Sequence, residues 1–307
     1  MKITETKYNY EVFYRNYISK SPMVIEDVEE FKKEALEDFK EIEEYYKDSF
    51  VEGFYDWVKE GYPSITKEDL KPNCYHIEGV GPFLLGQRFK SGIRDFPFVL
   101  LIIGFDEKFL PSVLDEIKSI AKKQYAKINP LGLTITLRFT RENYKDAEMW
   151  NHIVVGKYNQ IINDSKYRLD QADSPMNYGE YSKIYERWGK NNTELAKFVS
   201  KEPESELIDS ANKGLYFKFY VNDEFAGIIC GRKEKIYGHE AIYIFEEFLF
   251  EKFRGQGLAK TMQRMFHAQF PKVNYIYGHI YEQNRPSLNT AKACNREIIE
   301  GEVFFRF

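Results

Sequence analysis

The 307-residue chain carries a net charge of −4, with 43% hydrophobic and 30% charged residues. That is the balance of a globular protein with room for one large domain or two ordinary ones. The acidic sum, with no basic stretch to offset it, excludes a general nucleic-acid binder, and no apolar run reaches membrane-spanning length. Cys74, Cys230 and Cys294 lie far apart and form no CxxC pair. Reduced thiols in a cytoplasmic protein are therefore expected, with no disulfide or zinc framework and no metal. The opening MKITETKYNYEVFYRNY lacks the apolar core of a secretory signal. The 25 Phe and 23 Tyr can supply core or walls for an organic ligand.

After the tyrosine-rich lead, Ser21-Pro22 can start a helix running to about residue 59. Val28, Phe31, Ala35, Phe39, Ile42, Tyr46 and Phe50 trace one face of it, and Gly53 with Phe54, Tyr55 and Trp57 marks a bend or docking point. Its other face, dense in acids and lysines, reads as solvated, with an interaction surface as the alternative. Short strands over 75–89 are punctuated by Gly79 and Gly81-Pro82, which is turn chemistry. A buried strand follows over 96–105, then a helix over 110–127 with Pro111 in its first turn, then an alternating strand over 132–139. Between the first strand and the helix stands Asp106-Glu107-Lys108, an acidic turn that would repel a pyrophosphate. The polar stretch 140–147 is the expected boundary, giving domains 1–147 and 148–307.

The second half predicts a strand over 151–162, helices over 178–188 and 193–199, and strands over 214–221 and 225–231 joined through Asn222-Asp223. Residues 232–239 read as a polar loop. The stretch that organises the chain comes next, AIYIFEEFLFEKFRGQGLAKTMQRMF over 241–266. Its first ten residues read as a buried strand that contains two acids, Glu246 and Glu247, where an unpaired carboxylate is costly. From Leu258 the apolar positions Leu258, Met262, Met265 and Phe266 recur at helical spacing. The turn between, Arg254-Gly255-Gln256-Gly257, opens that helix. A helix N-terminus offers unpartnered N–H groups to an anion, glycines let a phosphate approach the backbone, and Arg254 adds a positive charge. A third glycine is missing where Lys260 stands, so this is not a dinucleotide fingerprint, and no Gly-Lys-Ser/Thr marks a P-loop. A strand over 274–281, a helix over 287–294 and a strand over 302–307 close the chain.

Arg254, Gly257 and Ala259 match the acyl-CoA signature of the GCN5-related N-acetyltransferase family (Arg or Gln, two residues, Gly, one residue, Gly or Ala), and the chain resembles that family over its second half. The element order from residue 151 is similar to the family's, and Asn284-Arg285-Pro286-Ser287 stands where the family shows Asn, two residues, then Ala or Ser. The resemblance implies an α/β fold with a mixed sheet. The acetyltransferase domain would occupy 148–307, preceded by a structural or substrate-shaping α/β domain that resembles a degenerate copy of the same unit. It implies acetyl-CoA as co-substrate and direct attack of an acceptor amine on the thioester, and the large aromatic N-terminal half suggests a pocket for the amine of a small molecule.

The pyrophosphate would lie on the N–H groups of Gly255, Gln256, Gly257, Leu258, Ala259 and Lys260. Pantetheine would pair like an added strand with Phe248, Leu249 and Phe250. Asn284 would contact the pantetheine arm or an ordered water, and Ser287 would open the next helix. Glu246 or Glu247 would act as general base, with Glu246 favoured and a bulge in the strand able to change which acid faces the cleft. The family's thiolate-protonating Tyr is replaced by Ala291, and its helix-ending Gly-Phe by Asn295-Arg296. Tyr281, then His279 and Cys294, are the residues nearby that could supply the proton. A non-catalytic acyl-CoA sensor and an interaction scaffold are the alternatives.

Overall fold

The computed structural model describes residues 2–19, 28–137, 147–157, 162, 164–197, 199, 201–273 and 275–307. The expected start of the first long helix at Ser21-Pro22 and most of the expected domain boundary lie outside these residues. The fold is α/β with mixed parallel and antiparallel strand pairing, as the sequence implies. The chain forms two compact units, Met1–Trp150 with Glu300–Phe307, and Asn151–Ile299.

In the first unit the strand order is β1 (Ile3–Thr6), β2 (Asn73–Ile77), β3 (Gly81–Phe89), β4 (Pro97–Ile103), β5 (Gly132–Leu137) and β12 (Glu297–Arg306). All neighbours are antiparallel except β4 and β5, which run parallel at Val99↔Leu133 and Leu100↔Thr134. Helices α1 (Tyr10–Ile18), α2 (Val28–Glu41) and α3 (Asp48–Gly61) stand between β1 and β2, and α4 (Leu110–Gln124) makes the crossover from β4 to β5. The sequence reading runs one helix to residue 59, whereas a short 3-10 turn over Ile42–Tyr46 and an extended Lys47 divide α2 from α3. It also assigns no element to the tyrosine-rich lead that forms β1 and α1, where Asn9 caps α1 through a side-chain oxygen accepting from Glu11 N–H.

The main core of this unit lies under α3 and α4. Val51, Val58, Val113, Ile117 and Ala121 cover Phe83, Leu85, Val99, Leu101, Leu133 and Ile135, joined by Val303 and Phe305 from β12. Phe304 points to the other face and stacks on Trp150 at 4.1 Å.

The second unit repeats the pattern. Its strand order is β7 (Tyr167–Gln171), β8 (Tyr216–Val221), β9 (Glu224–Ile236), β10 (His239–Leu249), β11 (Tyr275–Tyr281) and β6 (Ala147–Lys157). Again the fourth and fifth strands are parallel and the remaining neighbours antiparallel. Helices α5 (Tyr178–Asn191) and α6 (Glu204–Asn212) stand between its first two strands, α7 (Leu258–Ala268) makes the crossover, and α8 (Arg285–Ala293) follows β11. The strand after β5 in the chain, β6, pairs in the second unit, and the last strand of the chain pairs in the first.

Asn222 and Asp223, at φ +50 and +63, form the expected hairpin turn. The expected loop over 232–239 is instead strand up to Ile236 and resumes at His239. Tyr237 and Gly238, both at positive φ, make a second tight turn, and the ladder pairs His239 with Ile236. Helix α6 and strand β7 have no counterpart in the sequence reading. No helix among the described residues is long and apolar enough to cross a membrane.

Candidate active site

Strand β10 pairs with β11 only from Ala241 to Tyr243, against Tyr275–Tyr277, while its other edge stays on β9 as far as Leu249. The parallel strands therefore part beyond Tyr243, and a cleft opens where they separate. Its larger part, about 1180 Å³, is lined by Tyr185 and Trp188 of α5, Glu247, Phe248 and Leu249 of β10, the turn before α7, and Asn284, Pro286 and Ser287 of α8. A smaller part of about 380 Å³ shares Tyr185, Glu247, Asn284 and Ser287 with it and adds Glu202, Tyr243, Glu246, His279, Tyr281 and Arg296.

At one end of the larger part stands the glycine turn. Gly255 and Gly257 both have φ +74, a conformation that a side chain strains, and a Cβ at either would meet nothing within 4 Å among the described residues. Gly257 is the N-cap of α7, and no side chain caps that helix. Its first N–H groups thus face the cleft without the carboxamide that closes α5 (Asn177 to Glu180 N–H, 3.1 Å) or α8 (Asn284 to Ser287 N–H, 3.4 Å). An uncapped helix start beside open space fits an anion such as a pyrophosphate. Arg254 is held there by its Nε donating 2.8 Å to Leu249 O, which fastens this exposed side chain to the end of β10.

Among the expected cofactor-binding residues, Phe248, Leu249, Arg254, Gly255, Gly257, Leu258, Ala259, Asn284 and Ser287 line the larger part of the cleft. Phe250, Gln256 and Lys260 are not brought to its wall. Phe250 N–H donates to Ala226 O at 2.9 Å, and its ring packs on Phe225 and Phe248. Gln256 folds back onto Lys252 O at 2.8 Å, and Lys260 O accepts from Cys294 Sγ. In an antiparallel ladder alternate residues turn both backbone groups away from the neighbour. With Phe250 N–H on β9, it is Leu249 and Glu247 that turn theirs toward the cleft.

The two acids end on opposite faces, and a bulge decides which. Register along β9 shifts between Ile244 and Glu246. Ile242 and Ile244 pack on the α7 side, Phe245 and then Phe248 pack on the α5 side, and Leu249 returns to the α7 side. Glu246 therefore meets α5, where its buried carboxylate accepts from the hydroxyls of Tyr181 and Tyr185, the latter at 2.9 and 2.8 Å. Tyr181 in turn accepts from Glu202 N–H at 2.9 Å. Glu247 meets α7, accepts from Gln263 Nε2, and lines both parts of the cleft. Burial pushes each carboxyl up to about 7. Hydrogen bonds from Tyr181 and Tyr185 oppose this at Glu246, and those from Gln263 with the charge of Arg296 oppose it at Glu247.

Tyr281 and His279, at the open end of β11, line the smaller part of the cleft, whereas Cys294 does not. Ala291 is fully buried with Val154, Ile280 and Leu288. Asn295 takes φ +57, so the left-handed turn expected after α8 is kept without glycine. Sequence reading assigns no role to Gln263 or Arg296. The available signals were a Gln placed between Met262 and Phe266 on the apolar side of α7, and a charged residue replacing the family's Phe.

No protein-family model matches the chain, and no curated protein does. Among solved structures, the chain is similar to an acetyltransferase of the GNAT family from Colwellia psychrerythraea, with 13% identity over 100% of both chains and a TM-score of 0.47. It is similar also to a GCN5-related N-acetyltransferase from Sphaerobacter thermophilus, with 9% identity over 81% of this chain and 90% of that one and a TM-score of 0.43. A tandem GNAT protein from the clavulanic acid biosynthesis pathway matches with 12% identity over 85% and 95% and a TM-score of 0.43.

Proposed function

We propose that the protein is an acyl-CoA-dependent N-acetyltransferase that moves an acetyl group from acetyl-CoA to an amine of a small molecule. The acetyltransferase domain is 148–307, and 1–147 is a structural or substrate-shaping domain built on the same strand order. The observation that carries this reading is the parting of β10 from β11, with an uncapped, glycine-opened helix at one end of the gap and a carboxylate at the other. A phosphate-bearing acyl donor fits such a gap lengthwise. Arg254 and the first N–H groups of α7 hold its pyrophosphate, and the outward-turned backbone of Glu247 and Leu249 takes its amide arm like an added strand. Asn284 Oδ1 is engaged in capping α8, so its contact with that arm falls to the amide nitrogen.

Glu247 is the better candidate for the general base, in place of the Glu246 expected from sequence. It sits where the two parts of the cleft meet, whereas both oxygens of Glu246 already accept from tyrosines. An acceptor enters as an ammonium and must lose a proton before it attacks. A carboxylate lifted to about 7 can take that proton near neutrality, so turnover should rise with pH through this range. The amine nitrogen then bonds to the acyl carbon, the carbon–sulfur bond breaks, and Tyr281 or solvent returns a proton to the thiolate.

Calorimetry with acetyl-CoA and thiol release with a panel of amines test the reading. Saturable binding is expected, with amine-dependent release that falls steeply in Glu247→Gln while binding persists, and absence of binding would sink the reading. The buried Ala291, with no hydroxyl where the family resemblance places one, favours a second reading as an acyl-CoA sensor. Tight binding with no amine raising release above hydrolysis would select that.

A further inference from the structure

Arg296 follows the left-handed turn at Asn295 and runs back beneath α7, where the residue is almost wholly buried at 6% exposure. Two glycines on neighbouring strands clear its path. A Cβ at Gly156 of β6 would lie 2.6 Å from Arg296 Cγ, and one at Gly278 of β11 would lie 2.8 Å from its Nη2. Neither glycine has a positive φ, so the space beside the strands, and not backbone conformation, is what requires them. Nη1 donates to Gln263 Oε1 at 3.3 Å and Nη2 to Val154 O at 3.4 Å. Gln263 passes the arrangement on, since its Nε2 donates to Glu247. A planar amide thus links a buried cation to the acid at the junction of the cleft, and it stands on the helix whose N-terminus opens the glycine turn.

An arginine is an expensive occupant of an apolar slot unless something negative answers it. Glu247 is that group, and Gln263 bridges the pair, donating to the carboxylate and accepting from the guanidinium. We infer that Arg296 and Gln263 are positioning residues which hold Glu247 in place as the general base and set the pH at which it accepts the amine's proton. The inference deepens the transferase reading and rests on it for its effect on rate.

Other groups around Glu247 leave this role to Arg296. Cys294 at the end of α8 has its thiol pushed up to about 11 by burial, so it is neutral near pH 7. Burial holds Tyr185 of α5 well above its ordinary range. From β9 the partner is Ile229, and α7 contributes His267, whose imidazole burial holds down at about 4 and therefore uncharged. Glu202, Glu246, His279 and Tyr281 share the smaller part of the cleft. The hydrogen bond from Gln263 and the charge of Arg296 are what favour ionisation of Glu247 against its burial.

The test follows the Glu247 carboxyl itself in the full chain, by ¹³C-glutamate NMR titration with the resonance assigned through its loss in Glu247→Gln. Removing the cation in Arg296→Met should move that titration upward by about one pH unit, and the acid limb of kcat/KM with it, a loss of roughly tenfold at a pH below both midpoints. Gln263→Leu should shift both in the same direction, and Arg296→Lys should restore part of the shift. If Arg296→Met does not fold, Gln263→Leu and Arg296→Lys carry the decision. An unmoved carboxyl titration in folded variants overturns the inference. A shifted titration in a protein that acetylates no amine keeps the positioning role and overturns the transferase reading instead.

Discussion

The two units share one strand order, yet their parallel crossovers end differently. From β10 the chain enters α7 through Arg254-Gly255-Gln256-Gly257, and the helix start carries no side-chain cap. From β4 it enters α4 through Asp106-Glu107-Lys108, where Asp106 accepts from Lys108 N–H at 3.1 Å and pairs with the lysine's ammonium at 3.4 Å. Pro111 then removes one more N–H from the first turn. A carboxylate already stands where an anion would approach. The strands differ too, because β4 pairs with β3 without a break from Pro97 to Ile103, whereas β10 is bulged. Topology makes the gap between two parallel strands, and a few residues at the helix entrance decide whether it can hold a phosphate.

Four substitutions separate the open crossover from the closed one. Glu247→Gln should lower turnover by about 10²–10⁴ while leaving acetyl-CoA binding almost unchanged. Steady-state thiol release with calorimetry checks this, and a second equivalent of bound acetyl-CoA per chain would show that the first crossover is not closed. Phe304→Ala removes the ring stacked on Trp150 from the strand that completes the first unit, and should cost about 3–5 kcal/mol in a urea melt. Faster hydrogen exchange in β4 and β5 should accompany it, and a loss under about 1 kcal/mol would mean that β12 is dispensable there. Gly257→Val must hold a branched side chain at φ +74, a strain of about 1–3 kcal/mol. Acetyl-CoA affinity should weaken by about ten- to a hundredfold in titration, and unchanged affinity would remove the turn from the site. Asp106→Ala, the mirror experiment in the first unit, should cost only about 1 kcal/mol of stability by thermal melt and leave acetyl-CoA affinity alone. A change in affinity there would mean that the acidic turn is not a silent counterpart.

Much of this is legible in the sequence. The run of Ile, Tyr and Phe over 241–250, the glycines at 255 and 257 and the helical spacing from Leu258 are local signals, and each appears where the residues predict. The Asn222-Asp223 turn is equally local. Other features escaped for a physical reason. Tyr237-Gly238 was hidden because the charged stretch before it looks like a loop when only one edge of β9 and β10 is considered. Helix α6 is short and half polar, so its apolar side (Leu207 and Ala211) becomes decisive only when it covers Tyr216 and Cys230.

Local sequence fixes most of the elements and the chemistry available at the helix entrance, since propensity, glycine and charge act over a few neighbouring residues. Three things belonged to the tertiary structure. The bulge in β10 exists only in its register against β9, and it sends Glu246 to α5 and Glu247 to α7. Arg296 gains meaning only where Gly156 and Gly278, far apart in the chain, come together beneath it. The last strand completes the first unit and not its own, because Gly301–Arg306 finds its ladder on Gly132–Leu137. Each depends on partners more than ten residues away, and no local pattern encodes which partner a strand edge or a buried charge will meet.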